Sequence, residues 1–428
     1  MNPLKSLQLI WSNKNLRKRI LVTLGILVIF RIIAQIPLPG VDISGLRSFF
    51  ENNQMFGLLD MFSGGSVSRF SLALMGVGPY ITASIAFQLL VMVVPQLDAL
   101  QKEGEYGRKK INQYTRYASV PLAFVEAFGL LRLLQSQGVI GVPGPWELVL
   151  VLVSATAASV FLMWLGEIIS ESGIGNGIST IIAFGIIAGL PPSVQNLIQV
   201  VSGDPGKVLM AIIYGLIILA MIVFIIWVSE AERRIPVTYA RRVPGMRDST
   251  KVDSYLPIKV NAAGVVPIIF ATSILVFPGI AAQMFLNARS EWLQNFARGV
   301  QHFFNNNYYY AIIFFVLVAA FTFFYTSVII KPKQVAENLQ KQGSFVPGLR
   351  PGGETAAYIR KILYRVTSTG ALFLAAVAVA PFLLQATTAE FRTLALGGTG
   401  ILIIVAVAIE TMNQIKAQMA SQTYDKFL

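Results

Sequence analysis

Ten apolar runs dominate the chain, at residues 20–36, 72–94, 117–134, 147–169, 178–201, 208–228, 260–285, 308–330, 366–384 and 391–411. Crossing the roughly 30 Å hydrocarbon core of a bilayer takes about 17–25 helical residues, so each run is long enough to span. The sequence is 55% hydrophobic and 13% charged, which excludes an ordinary soluble domain. A polytopic, all-α membrane protein is therefore expected. The first run follows a basic head but is bounded by Pro37 and Pro39 with no small-residue cleavage pattern, so it reads as a retained first span.

The stretch 55–95 is apolar in two unequal pieces, and only the second can cross. Residues 55–62 make a helix of about 12 Å, too short to span, and Ser63, Gly64, Gly65 and Ser66 then break it. Irregular backbone at membrane depth survives where it is buried in protein or lines a wet cavity. A short re-entrant helix ending in a Gly-Gly hinge inside a bundle reads as a filter, a substrate cradle or a movable stopper. A packed loop on the outer surface is the plainer alternative.

Charge distribution orients the chain. With both termini cytoplasmic, 26 of the 34 Lys and Arg residues fall on the cytoplasmic side, seven on the other, and Arg31 lies within the first span. The same bias accounts for much of the net charge of +13. Two cytoplasmic loops, 230–259 and 331–365, are longer than connecting adjacent helices requires and read as docking surfaces for anionic lipid, an acidic partner or RNA phosphates. A short internal echo, Gly76-Val-Gly-Pro-Tyr-Ile-Thr-Ala-Ser84 against Gly264-Val-Val-Pro-Ile-Ile-Phe-Ala-Thr-Ser273, relates the second span to the seventh. Spans five apart have opposite orientations, as in inverted-repeat transport proteins, although a match this short also arises by chance.

Polar groups within the spans are few: Glu126, Glu167, Glu410 and Gln88. Glu167 and Glu410 sit near the cytoplasmic ends, where snorkelling or a loop contact is expected. Glu126 and Gln88 are expected to form a polar contact between helices. No acidic ladder crosses the bilayer, as a proton or cation carrier requires. The chain has no cysteine and one histidine, His302, in an outer loop, so thiol, Ser/His and His-metal chemistry have nothing to stand on. Gly173-Ile-Gly-Asn-Gly177 follows a transmembrane helix rather than a strand and lacks a Walker lysine, so it is read as a tight turn and no nucleotide or other cofactor is expected.

Several motifs then resemble one family in order along nearly the whole chain. They are Phe62-Ser-Gly-Gly65 with Pro79-Tyr-Ile-Thr-Ala-Ser84, Lys102-Glu-Gly-Glu105 with Gln113-Tyr-Thr-Arg116, and Gly173-Ile-Gly-Asn-Gly177 with Gly189-Leu-Pro-Pro192. Arg233-Arg-Ile with Tyr239-Ala-Arg-Arg242, Lys259-Val-Asn261 with Phe277-Pro278, Phe345-Val-Pro-Gly-Leu-Arg-Pro-Gly352 and Gly397-Gly-Thr399 continue the series. Together they resemble SecY, the main subunit of the bacterial protein-conducting channel in the translocon alpha-subunit family.

That resemblance implies ten spans in two inverted five-helix halves, residues 1–201 and 202–428, around an hourglass pore. Such a channel passes unfolded secretory proteins across the bacterial inner membrane, releases transmembrane segments sideways into lipid, and is not an enzyme. It implies a pore ring of Ile81, Ile85, Ile182, Ile186, Ile269 and Ile403, where branched aliphatics deny water hydrogen-bond partners. It implies a plug beginning with Met55, Phe56, Leu58, Leu59, Asp60, Met61, Phe62, Ser63, Gly64 and Gly65. A lateral gate between spans two, three, seven and eight would include Gln88, Glu126, Thr272 and Ser273. Arg233, Arg234, Arg241, Arg242, Lys259, Arg350, Arg360 and Lys361 resemble the surface that docks the ribosome or the SecA motor ATPase, with Arg350 singled out between two Pro-Gly pairs. SecE and SecG small membrane subunits, signal sequences and the lipid bilayer complete the implied partners. Val77-Gly78 stands where the family usually carries bulkier residues, which implies a looser seal or a differently seated plug. From the residues alone, packed core isoleucines remain the alternative to a ring, a secondary transporter the alternative to a channel, and an intramembrane protease a third class.

Overall fold

The structure is a computed structural model that describes residues 11, 13–38, 60, 63–136, 138–141, 144–239, 254–286, 290–387 and 398–425. Among the described residues, each of the ten apolar runs lies wholly or largely on one of ten helices. They are α1 Lys14–Ile33, α2 Gly78–Val93, α4 Glu105–Ser136, α5 Pro145–Ser172, α6 Gly177–Gly203, α7 Val208–Glu230, α8 Val266–Phe285, α10 Asn307–Ile329, α12 Gly353–Thr387 and α13 Gly398–Asp425. Three more helices lie between them: α3 Pro95–Lys102, α9 Glu291–Asn305 and α11 Pro332–Lys341.

Among the described residues, seven helices are long and apolar enough to cross a membrane, or eight if the bent pair α2 and α3 is one span. This is fewer than the ten expected. The α1 helix falls short because Lys14, Arg17, Lys18, Arg19 and Arg31 lie within it, and of α8 only Val266–Leu275 stands out as an apolar segment. The second span also starts later than expected. Residues 72–77 form turns, Pro79 opens α2 at its first turn, and Pro95 ends it, turning α3 away by 99°. The expected boundary between halves at 201/202 lies two residues inside α6, whose helix runs on to Gly203.

The chain is mostly helical, as expected, and adds one small sheet. The loops 230–259 and 331–365 pair with each other in a three-stranded antiparallel sheet of order β2-β1-β3, with β1 Glu232–Tyr239, β2 Ser254–Lys259 and β3 Ser344–Phe345. Strand alternation turns Ile235 and Val237 of β1 and Ile258 of β2 inward. Ile235 and Ile258 join Val346 from the second loop and Ile359 and Leu363 of α12 in a small core. The described parts of the two loops therefore form one folded platform at one end of the bundle.

Two larger cores fill the bundle. The central one collects residues from α1, α2, α5, α6, α7, α8, α10, α12 and α13. The second, at the end opposite the platform, packs Val67, Phe70 and Leu74 against Leu130, Leu134, Val151 and Leu152 of α4 and α5. The segment that follows the Gly-Gly pair is thus a packed layer, stitched to the end of α1 by Leu38 N–H to Phe70 O (2.8 Å) and Leu72 N–H to Ile36 O (2.8 Å).

Candidate functional site

Local devices place five of the six candidate pore residues. Asn176 caps α6, its side chain accepting from Ser179 N–H, and this sets Ile182 and Ile186 four residues apart on one helix face. Pro79 in the first turn of α2 does the same for Ile81 and Ile85. The turn containing Gly264 (φ +63°) opens α8 and leads to Ile269. The carbonyl of Ile269 accepts from both Thr272 Oγ1 (2.9 Å) and Ser273 Oγ (2.8 Å), so these gate candidates satisfy themselves on their own helix.

Ile182, Ile186, Ile269 and Ile403 are buried in the central core, Ile403 completely, and Ile81 packs against that core while remaining partly exposed. Ile85 is buried too but lies outside this cluster. Val77, one of the small residues before Pro79, is buried in the same core.

The Gly-Gly pair meets this cluster directly. Gly64 and Gly65 are left-handed (φ +74° and +77°), a conformation costly for other residues. A Cβ on Gly64 would sit 2.9 Å from Cα of Gly185, and one on Gly185 would sit 3.0 Å from Cα of Gly64. Gly185 lies between Ile182 and Ile186, so two backbones touch where no side chain fits. Arg31 Nη1 donates to Gly64 O (3.4 Å), and the Phe30 ring edges onto Phe184 (6.5 Å) beside the contact. The expected hinge is thus a defined turn: Gly65 N–H donates to Asp60 O (2.8 Å), Ser68 N–H to Asp60 Oδ1 (2.8 Å) and Ser66 Oγ to Ser63 O (2.7 Å). Ser63 and Ser66 are buried. The plug candidates Met55, Phe56, Leu58, Leu59, Met61 and Phe62 lie outside the described residues.

The α8 helix packs against α2 and α4, forming the seam where the gate candidates lie. Glu126 does not pair with Gln88 as expected. Gln88 Nε2 donates instead to Ser84 Oγ (3.1 Å) one turn back on α2, and the Thr82 hydroxyl donates to Gly78 O (3.2 Å) on the same helix. One carboxylate oxygen of Glu126 and the amide oxygen of Gln88 are buried without partners, so the seam holds polar groups that its closed packing leaves unsatisfied. Near the platform end, Glu167 forms an ion pair with Arg116 that joins α5 to α4.

The 173–177 turn is less plain than the sequence suggests. Arg19 Nη1 donates to Gly173 O (3.3 Å), Ile174 N–H to Thr23 Oγ1 (3.1 Å) and Gly175 N–H to Gln414 Oε1 (2.8 Å), which ties α1, the α5–α6 turn and α13 together. Gly175 itself is left-handed (φ +90°).

On the platform, Arg233, Arg234, Lys259, Arg350, Arg360 and Lys361 are all exposed; Arg241 and Arg242 lie outside the described residues. Arg234 donates through Nε to Glu232 (2.7 Å) and lies 4.7 Å over the Tyr255 ring across the β1–β2 ladder. Its pKa is raised, first by that hydrogen bond and then by the charges of Tyr255 and Glu232. Arg350 is fixed through its backbone, with N–H donating to Glu354 Oε2 (3.2 Å) and C=O accepting from Thr355 Oγ1 (2.8 Å), so its guanidinium projects from a rigid corner.

The sequence did not reveal Gly185, Arg31 or Tyr255. Gly185 alone carried a signal, a small residue between two bulky apolar ones in a span, which marks close backbone approach. Among the described residues no cluster of His, Cys, Asp or Glu could hold a metal ion.

The SecY family model matches residues 71–412. The chain is 40% identical over 424 residues to the protein translocase subunit SecY of Halalkalibacterium halodurans, covering 97% of each chain. It is 39% identical to that of Escherichia coli K12, covering 96% of this chain and 94% of the relative. Among solved structures it is similar to one described as the structure of a protein conducting channel, with TM-score 0.68, 20% identity, and 95% and 93% of the two chains covered. It is also similar to Sec61 in the canine ribosome-channel complex from the endoplasmic reticulum, with TM-score 0.64 and 20% identity over 95% of this chain and 93% of that one.

Proposed function

This chain belongs to the SecY family of protein translocase subunits, protein-conducting channels rather than enzymes, and from that premise we propose how its residues form the channel. The path runs between an N-terminal half of five spans and a C-terminal half of five, related as inverted repeats. Ile81, Ile182, Ile186, Ile269 and Ile403 form its constriction, with Ile85 one turn along α2 at its edge. The segment from Met55 to Gly65 closes it from the side opposite the basic platform.

The observation that carries this reading is the contact of Gly64 with Gly185 between two of the isoleucines. It sets the turn at the end of the proposed plug against an apolar cluster drawn from four helices, which is what a stopper on a dewetted ring requires. A passing chain displaces the stopper and is gripped by aliphatic side chains that offer no hydrogen bonds. The α8 seam with α2 and α4 opens sideways to lipid for signal sequences and transmembrane segments, and the unpaired oxygens of Glu126 and Gln88 lower the cost of parting it.

The platform is the cytoplasmic docking surface, with both termini on its side of the bacterial inner membrane. Its exposed Arg and Lys side chains suit ribosomal phosphates or the carboxylates of the SecA motor. Similarity to a ribosome-bound channel supports the first of these. The outer face of α7, with Leu209, Leu216, Leu219 and Val223 all exposed, leaves room for lipid or the small SecE and SecG subunits.

The chain has no cysteine, so Ile269→Cys supplies a unique probe. In reconstituted vesicles with the motor, a substrate stalled with its own cysteine should form a disulfide at residue 269 that depends on the substrate's register. Absence of that disulfide, with engagement and thiol reactivity confirmed, removes Ile269 from the constriction.

A further inference from the structure

The α9 helix joins the ends of α8 and α10 remote from the platform, and its sequence divides it sharply. At 100° per residue its apolar side chains fall within a single arc of about 140°, with Glu291, Gln294, Arg298 and His302 on the other side. The structure splits that arc in two. Along its inner edge Ala297 is fully buried and Phe304 packs against Tyr310 (ring centroids 6.4 Å apart) at the rim of the central core. Along its outer edge Trp292 and Phe296 are 72% and 61% exposed, their rings stacked at 6.0 Å and 15°.

The uncovered edge does not end with the helix. Asn306 alone separates α9 from α10, its side chain accepting from Tyr308 N–H (3.0 Å) as a cap. Phe303 stacks on Tyr309 (5.2 Å, 4°), and exposed Tyr308, Tyr309, Ile312 and Val316 carry the apolar surface down α10 along the membrane-facing side of a spanning helix. The α9 helix therefore meets the bundle at the level where α10 enters the bilayer, and aromatic side chains concentrate there, as they do at membrane interfaces.

We propose that α9 is an interfacial anchor whose Trp292–Phe296 edge lies about 5–10 Å into the headgroup–acyl boundary of the leaflet opposite the basic platform. This rests on the membrane-channel reading and adds a ligand surface to it, the lipid interface itself. The polar face of α9 carries one acidic and one basic residue, Glu291 and Arg298, so binding comes from apolar area rather than anionic headgroups. Because α8 also packs against α2 and α4, the anchor holds the outer end of the helix that closes the lateral seam.

The test uses the full chain with its partner subunits in phosphatidylcholine nanodiscs, carrying Phe296→Cys or Arg298→Cys labelled with an environment-sensitive fluorophore. Lipids bearing a nitroxide near the headgroup should quench the label at residue 296 severalfold more than at 298, and aqueous iodide should show the opposite preference. Equal iodide quenching at both sites places the edge in water and overturns the proposal. Protection of residue 296 from both quenchers means a protein covers it, a partner subunit or a second copy, and overturns it equally. Adding anionic lipid should leave the pattern unchanged; a severalfold rise in lipid quenching overturns the apolar origin of binding. An unlabelled Ile269→Cys preparation in the same lipid that forms its disulfide with a stalled substrate separates failure of this anchor from failure of the channel reading.

Discussion

The proposed constriction and the basic platform are built on opposite principles. Around Ile182, Ile186, Ile269 and Ile403 the side chains are buried and apolar, and two backbones meet through glycine because nothing larger fits. On the platform the candidate side chains are exposed and charged, while their backbones are held by strand pairing and by the Glu354 and Thr355 bonds around Arg350. In the first region the residues proposed to line the path are also the residues that hold the structure together. In the second the two roles are divided between charged tips and an apolar layer beneath them. Substitutions in the bundle should therefore move stability and conductance together, whereas substitutions on the platform should separate stability from transport.

The strongest test is Ile403→Asn. This fully buried site loses its aliphatic contacts and gains an amide with no evident partner, which should lower stability by about 3–5 kcal/mol. The same change hydrates the ring, so single-channel recordings should show a raised resting ion conductance. A stable, tightly closed Ile403→Asn channel would remove the coupling that defines the first region.

Next in size is Ile359→Ala, which tests the layer beneath the platform. Ile359 is 1% exposed in the core shared by the sheet and α12, and truncation should cost about 2–4 kcal/mol. Local unfolding followed by hydrogen exchange in 230–259 and 331–365 should accelerate while resting conductance stays at the wild-type level. Increased leak would show that the platform and the constriction are one mechanical unit.

Smaller again is Gly185→Val. Its Cβ would lie 3.0 Å from Gly64 Cα, a backbone atom that can yield only by moving the whole turn. Overpacking of this kind costs about 1–3 kcal/mol. The expected signature is a raised resting leak with the seam helices still paired. Normal sealing would mean that the Gly64 turn is packing alone.

How far the sequence led differs between the two regions for a physical reason. Apolar length marks spans because burial in lipid constrains every residue of a helix, and among the described residues each of the ten runs lies wholly or largely on a helix. The platform's loops were legible as long and basic, but their pairing was not, because Thr238 meets Phe345 across more than a hundred residues and neither loop carries a complete apolar face alone. The isoleucines were beyond periodicity: in a helix that is apolar all round, nothing distinguishes a residue facing a neighbour from one facing a path. The 126–88 contact failed because the Gln88 amide donates to a hydroxyl nearer by, at Ser84, and this leaves oxygens of both side chains unpartnered. The Gly64–Gly185 contact joins segments far apart in sequence and leaves only a missing side chain at each end.

The smallest structural effect, and the sharpest division of roles, is expected at Arg350→Glu. The side chain is exposed, and the bonds that hold its corner use the backbone N–H and C=O, which survive the substitution. Stability should change by no more than about 0.5 kcal/mol, as for most surface substitutions. The new carboxylate stands near Glu354 and presents a negative charge where a phosphate or carboxylate of a docking partner would sit, so repulsion replaces a charge-assisted pair. Motor-driven or ribosome-coupled transport should fall severalfold, partly recover with Arg350→Lys, and leave resting conductance unchanged. Thermal unfolding in detergent beside transport into vesicles measures both quantities on one preparation. Normal transport by the Glu variant would reduce the Arg350 charge to a topological signal, and a large loss of stability would show that the guanidinium itself, rather than the backbone, holds the corner.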